Sequence, residues 1–190
     1  MEYAMKVHFI LIALLLPIFC SCTKLVWTEK PLVTKPSDHD FEFNGKWRRP
    51  ADEYNPNPKT AIEISLKDGS DKEYTIIDHS SEQATKHSFT VARLNEKSGY
   101  GIVQIDWTEN ESNPPKYFYF YAMVKNDRLF VWYIHKDKII EKIRSQKLNA
   151  LINQNGLFTE ISSDPKRLLE LLQKNSGQIC CESPITYERE

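Results

Sequence analysis

Every position from Tyr117 to Tyr121 carries an aromatic ring, and Ala122-Met123-Val124 continues the apolar run. Successive side chains of a strand point to opposite faces, so a sheet that holds this β-prone segment must cover large groups on both sides. Lys125-Asn126-Asp127-Arg128 fits a tight connection, and Leu129-Phe130-Val131-Trp132-Tyr133-Ile134 returns as a second strand of the same kind. The pair predicts a hairpin with one face inside a barrel or sandwich and the other under a terminal helix or the N-terminal segment. Such rings most often fill a core. They also define a candidate ligand or partner surface of Tyr117, Tyr119, Tyr121, Trp132 and Tyr133, joined by Trp107 if the strands pair in sequence order.

Shorter strands precede the hairpin. In Ala61–Lys67, Ile62, Ile64 and Leu66 face one way, with Glu63, Ser65 and Lys67 toward water. Asp68-Gly69 marks a turn, and Glu73–Ile77 returns. His87–Leu94 reads as a strand in which Phe89, Val91 and Arg93 share a face unless a bulge intervenes. Gly101–Trp107 alternates Val103, Ile105 and Trp107 against Ile102, Gln104 and Asp106. The prolines at 50, 56 and 58 make Arg48–Lys59 a loop.

After Lys136 the period changes. Ile139, Ile140 and Ile143, followed by Leu148, Leu151 and Ile152, predict one short amphipathic helix or two pieces ended by Asn155-Gly156. Leu157–Ile161 reads as a short strand. Ser163-Asp164-Pro165 is a helix start, Leu168, Leu169, Leu171 and Leu172 form its apolar stripe, and Gly177 is the expected stop. The fold class is therefore mainly β with α, a curved antiparallel sheet or barrel with one or two C-terminal helices.

The chain opens with an apolar stretch, Val7–Phe19, preceded by Lys6. It is too short for a helix spanning a hydrocarbon core about 30 Å thick and suits an export signal; Met1 and Met5 are both available starts. Phe19-Cys20-Ser21-Cys22 resembles the lipobox of bacterial lipoproteins, with Ser21 in the small position before the cleavage site and Cys22 as the residue that becomes acylated. The resemblance implies a signal peptide over 1–21, fatty acyl chains such as palmitate on Cys22, and a membrane-tethered protein of the bacterial envelope. Because Thr23 follows Cys22, resemblance to Gram-negative lipoprotein sorting implies the outer membrane, facing the periplasm, rather than the inner membrane. Residues 22–40 are expected to form the lipidated tether and 41–190 a single domain, large enough to bury one core. Leu25-Val26-Trp27 could dock on that domain as an edge strand.

The remaining chemistry is sparse. A formal net charge of -1 among 190 residues gives no long-range field for nucleic acid, and no basic stripe is present. Asp38-His39-Asp40 offers oxygen and imidazole donors, but a metal site there would need His79, His87 or His135 as partners. No Gly-x-Ser-x-Gly elbow accompanies the serines, pairing Ser80 with His79 is arbitrary, Glu109 and Glu111 sit in a loop context, and the glycines are too isolated to cradle phosphate. We expect no catalysis, no metal and no cofactor. Cys180-Cys181 leaves three alternatives: a local disulfide, a link to another chain, or two buried thiols.

Phe43-Asn44-Gly45-Lys46-Trp47 resembles the Gly-x-Trp opening of lipocalin-like barrels, in which the tryptophan closes the barrel base. From Phe43 to about Asn175 the order of pieces is similar to that of small bacterial lipoproteins of uncharacterised function with a lipocalin-like body. The resemblance brings no catalytic residue with it. The expected role is a tethered lipoprotein that binds a small apolar ligand; the alternative is a structural or protein-interaction lipoprotein of the envelope.

Overall fold

The structure is a computed structural model and describes residues 25–34, 42–51, 61–70, 73–79, 85–94, 100–107, 115–155 and 158–190. Cys22 and Ser21, the Asp38-His39-Asp40 fragment, Ser80, Glu109 and Glu111 lie outside the described residues.

Eight antiparallel strands close into a barrel. Seven run up and down in chain order: β2 (Gly45–Arg48), β3 (Ala61–Leu66), β4 (Glu73–Asp78), β5 (Thr85–Arg93), β6 (Tyr100–Trp107), β7 (Lys116–Lys125) and β8 (Arg128–Tyr133). The last strand, β11 (Ile185–Arg189), fits between β8 and β2 and completes the ring. Between β8 and β11 the chain forms α1 (Lys136–Ser145), the hairpin β9 (Ala150–Asn155) and β10 (Phe158–Ser163), and α2 (Pro165–Ile179). The result is a lipocalin-like barrel-plus-helix architecture, as the strand pattern predicts.

Barrel closure requires tilted, staggered strands, and the stagger creates a second feature. Strand β7 pairs with β6 along most of its length, from Lys116 to Met123, but with β8 only from Phe120 onward. The start of β7 is therefore left with an open edge, which the N-terminal strand β1 (Leu25–Thr28) fills, Trp27 opposite Phe118 and Thr28 opposite Tyr117. Strand β1 in turn pairs in parallel with β10, and β10 with β9, so a three-stranded extension leaves the barrel wall there. The expected tether is thus part of the fold over its described residues 25–34. Leu32 and Val33 are buried, and both backbone N–H groups donate to Gln104 Oε1 at 2.8 Å.

Two apolar clusters follow from strand alternation. One fills the barrel with Trp47, Ile62, Ile64, Phe89, Val91, Val103, Phe118 and Phe120 among others. The second lies on the outer face of β6 to β8, where Ile102, Tyr119 and Tyr121 meet Ile139 and Ile143 of α1 and Leu168 and Leu172 of α2. Leu66, expected to share the inner face with Ile62 and Ile64, is exposed at the strand end.

The barrel has a tightly closed end. Tyr74 stacks on Phe89 with centroids 5.0 Å apart, and Phe43 meets both rings edge-on. Trp47 is 0% exposed and donates from Nε1 to the Phe43 carbonyl at 2.7 Å. The Arg189 guanidinium lies 4.3 Å over the Trp47 ring and also donates to the Asn44 and Glu42 carbonyls and to Asp127. Gly45 has φ +136°, and a Cβ there would sit 2.8 Å from Arg189 Nη1. The backbone conformation therefore calls for glycine, and a Cβ would also displace the Arg189 guanidinium. The turn between β7 and β8 places Asn126 and Asp127 at φ 53° each, as a two-residue hairpin turn of positive-φ residues demands.

Two helix boundaries differ from expectation. Leu148, Leu151 and Ile152 do not continue α1, because the chain turns out at Lys147 (φ 51°). The Leu148 N–H donates to the Ile143 carbonyl and the Lys147 N–H to the Arg144 carbonyl, a pair of bonds that closes a helix C-terminus. Residues 150–155 then form a strand registered on β10. Gly177 does not stop α2, which runs to Ile179; nothing lies within 4 Å of where its Cβ would be. The N-terminus is as expected, with Asp164 accepting from the Arg167 N–H at 2.9 Å and Pro165 in the first turn.

Candidate functional site

The end of the barrel opposite Trp47 and Arg189 is where β2, β4, β6 and β8 finish and β3, β5, β7 and β11 begin. Below it the interior holds a cavity of about 70 Å³, walled by Ile62, Ile64, Val103, Phe120, Ala122 and Leu129, with Phe43 and Phe89 toward the closed end. Its wall is apolar because each contributing strand turns alternate aliphatic or aromatic side chains inward. Protein interiors carry few such voids, and this one forgoes about 2 kcal/mol at roughly 24 cal/mol per Å³.

Toward the end opposite Trp47 and Arg189 the inner surface changes character. His87 lies opposite Ile76 and two positions before Phe89, both of which line the cavity. Its imidazole stacks on Trp107 with centroids 4.3 Å apart, and its buried Nε2 has no hydrogen-bond partner among the described residues. Burial lowers the His87 pKa, an effect that Asp78 partly opposes. From Trp107 the rings continue outward: Phe118 meets it edge-on at 6.4 Å, and Phe158 of the extension lies 6.2 Å from Phe118. Leu25 and Trp27 pack against the same cluster, and Lys116 Nζ lies 5.4 Å from the centre of the Trp27 ring. A row of rings therefore leads from the barrel interior onto one face of the extension, with one unpartnered polar atom beside it.

The aromatic positions singled out from the sequence do not form one surface. The sheet divides them. Tyr117, Tyr119, Tyr121 and Trp132 belong to the outer cluster beneath the helices and N-terminal segment, while Tyr133 and Trp107 belong to the barrel side. The outer rings are well held. Tyr119 Oη lies 2.8 Å from Thr28 Oγ1 and accepts from the Leu32 N–H at 3.2 Å. Tyr121 Oη donates to the Leu172 carbonyl at 2.9 Å. Tyr100 stacks on Tyr121 and meets Trp132 edge-on. Burial pushes the Tyr100, Tyr119, Tyr121 and Tyr133 phenols well above the usual tyrosine range, and that of Tyr187 up to about 12. These are neutral core hydroxyls at ordinary pH, not acid-base groups.

Cys180 and Cys181 are buried and form no disulfide with each other, and extended backbone sends them to opposite sides: Cys180 joins the helix-side cluster and Cys181 the barrel interior. Burial raises the Cys180 pKa, an effect that the Tyr100 hydroxyl 3.3 Å from its thiol partly opposes; apolar burial disfavours the thiolate. The histidines weighed as metal partners are dispersed. His79 is exposed beside Glu63 at 3.6 Å, His87 faces the barrel interior, and His135 precedes α1. Among the described residues no group of three His, Cys, Asp or Glu side chains could hold a metal ion.

The residues that the structure brings together, His87, Trp107, Phe118, Phe158 and Trp27, come from separate strands. Alternation in the sequence places Phe118 and Trp107 on inner faces, but only the pairing of β1 with β10, remote in sequence, adds Trp27 and Phe158. No protein-family model, curated protein or solved structure matches this chain. The likeness to lipocalins is therefore one of architecture, an eight-stranded barrel with added strands and two helices.

Proposed function

We propose that this protein is a lipid-anchored envelope lipoprotein that binds a small, slender apolar ligand inside its barrel. The observation that carries the reading is the unfilled apolar cavity inside the barrel, whose lining residues belong mostly to the same apolar cluster as the row of rings. Ligand sites are concave, mostly apolar and supplied with few polar groups; here the polar group is His87 Nε2. Size limits the ligand. At about 30 Å³ of liquid volume per water molecule, 70 Å³ admits about two groups of that size, so the cavity takes the tip of a chain while the rest lies along Trp107 and Phe118. The anchor rests on the apolar leader and the Ser21-Cys22 motif.

A second reading, a protein-interaction or structural lipoprotein, is favoured by Leu151. It is 78% exposed on β9, whose outer edge pairs with no strand among the described residues. Open edges are sites for strand addition.

Both parts of the leading reading are tested on protein isolated from the membrane fraction by intact mass analysis and organic extraction, beside a Cys22→Ala variant. The expected result is a wild-type mass carrying acyl chains on Cys22, absent from the variant, and a co-extracted slender apolar molecule. An unmodified wild type contradicts the anchor. An acylated protein that yields no small molecule, and that is instead recovered with a stoichiometric protein partner, favours the second reading.

A further inference from the structure

Only Thr23 and Lys24 separate Cys22 from Leu25, where β1 begins. The three steps from Cys22 to Leu25, at no more than 3.6 Å each, reach about 11 Å, little more than one headgroup layer, roughly 5–8 Å on each side of the hydrocarbon. Beyond Leu25 the chain is not free, since β1 is hydrogen-bonded between β7 and β10 and Leu32 and Val33 are tied to Gln104. An acylated Cys22 would therefore hold a particular part of the body at the bilayer.

That part is the rim of the barrel where β7 begins. Leu25 pairs with Phe158, and Trp27 with Phe118 on one side and Glu160 on the other. The face bearing Leu25, Trp27 and Phe158 is continuous with the barrel-side cluster, whereas the helices cover the opposite face of the extension through Val26 and Ile161. Leu25, Trp27 and Phe158 are each half-buried. Tryptophan is enriched at the level of lipid headgroups, where an apolar ring with a polar edge is well accommodated. Lys116 beside the Trp27 ring, with Lys24 next to the anchor, suits a surface of anionic phosphates.

We propose that the bilayer carrying the Cys22 lipid covers this rim, with Trp27 and Phe158 at headgroup depth. This rests on the lipid-anchor reading above and deepens it: the ligand is a single-chain apolar molecule drawn from the lipid phase, entering past Phe158 and Phe118 without crossing water.

The test uses the acylated protein in vesicles of phosphatidylethanolamine and phosphatidylglycerol, with and without lipids brominated high on the acyl chain, which quench tryptophan at short range. Wild-type emission is expected to fall with the brominated lipid. In Trp27→Phe the quenching should drop by about half or more, because Trp27 is the ring placed at headgroup depth. A variant with a long Gly/Ser insertion between Thr23 and Lys24, anchored but no longer held close, should lose most of the quenching, since a longer flexible link lowers the local concentration of the rim at the surface. The insertion leaves the body intact and so stands if Trp27→Phe fails to fold. An acylated, vesicle-bound wild type with equal emission in both lipids overturns the orientation while leaving the anchor in place. A wild type without acyl mass overturns the anchor, and the orientation with it.

Discussion

The two faces of β7 are built from the same alternating run, yet they solve burial differently. The inner residues Phe118, Phe120 and Ala122 carry no hydroxyl, and the outer residues Tyr117, Tyr119 and Tyr121 each carry one. Outside, a second layer supplies partners: Thr28 and Leu32 for Tyr119, and the Leu172 carbonyl for Tyr121. Inside, Phe120 and Ala122 line a mostly apolar cavity whose wall also holds the Tyr187 ring, so a hydroxyl added at Phe120 loses water in surroundings that offer few partners. The outer face is a satisfied, close-packed core, and the inner face keeps unfilled volume. That difference points to the interior, not the tyrosine face, as the place for a ligand.

Removing rings and hydroxyls breaks the comparison in graded steps. Phe120→Ala should produce the largest loss of stability, about 3–5 kcal/mol by chemical denaturation, because it enlarges an existing void that the closed barrel cannot collapse. Phe120→Tyr introduces an unpaired hydroxyl on the inner face and should cost about 1–3 kcal/mol. The converse change outside, Tyr121→Phe, deletes the bond to Leu172 and should cost less, about 0.5–1.5 kcal/mol. If the two hydroxyl changes cost the same, the inner face is wetter than this account allows.

The smallest effect expected is a pH dependence confined to the inner histidine. Burial holds the folded His87 below its ordinary 6.5, so below that pH the unfolded chain binds a proton that the folded chain resists. Its contribution is complete above about pH 6.5 and is lost as pH falls. The melting temperature should therefore decline from pH 7.5 to 5.5 by a margin that His87→Phe reduces. A decline that persists in His87→Phe would assign it to other groups.

Much of this was legible in the residues. Period-two alternation placed Ile62, Ile64, Val103 and Ile105 inside and Gln104 outside, and the two-sided aromatics of β7 required a cover on each face. Asp164-Pro165 marked the start of α2. Three things were not legible, each because a distant contact decided it. Leu148, Leu151 and Ile152 have helical spacing, but the positive-φ turn at Lys147 and pairing with β10 make them strand, and lysine does not advertise such a turn as glycine would. Trp132 and Tyr133 are neighbours in sequence and so look like parts of one surface, yet alternation sends them to opposite sides of the sheet. Leu25-Val26-Trp27 was legible as a docked strand, but its place between β7 and β10 was not, because its parallel partner β10 lies at the other end of the chain and barrel stagger creates the edge it fills.

The most direct test of the inner face as the binding site is fluorescence titration of the protein with a single-chain apolar alcohol, comparing Ala122→Phe, which fills the cavity, with Tyr121→Phe on the other face of the same strand. The account predicts that Ala122→Phe weakens binding by about tenfold or more, ~1.4 kcal/mol, while Tyr121→Phe stays near the wild type. Equal affinity in wild type and Ala122→Phe, with both folded, would contradict it.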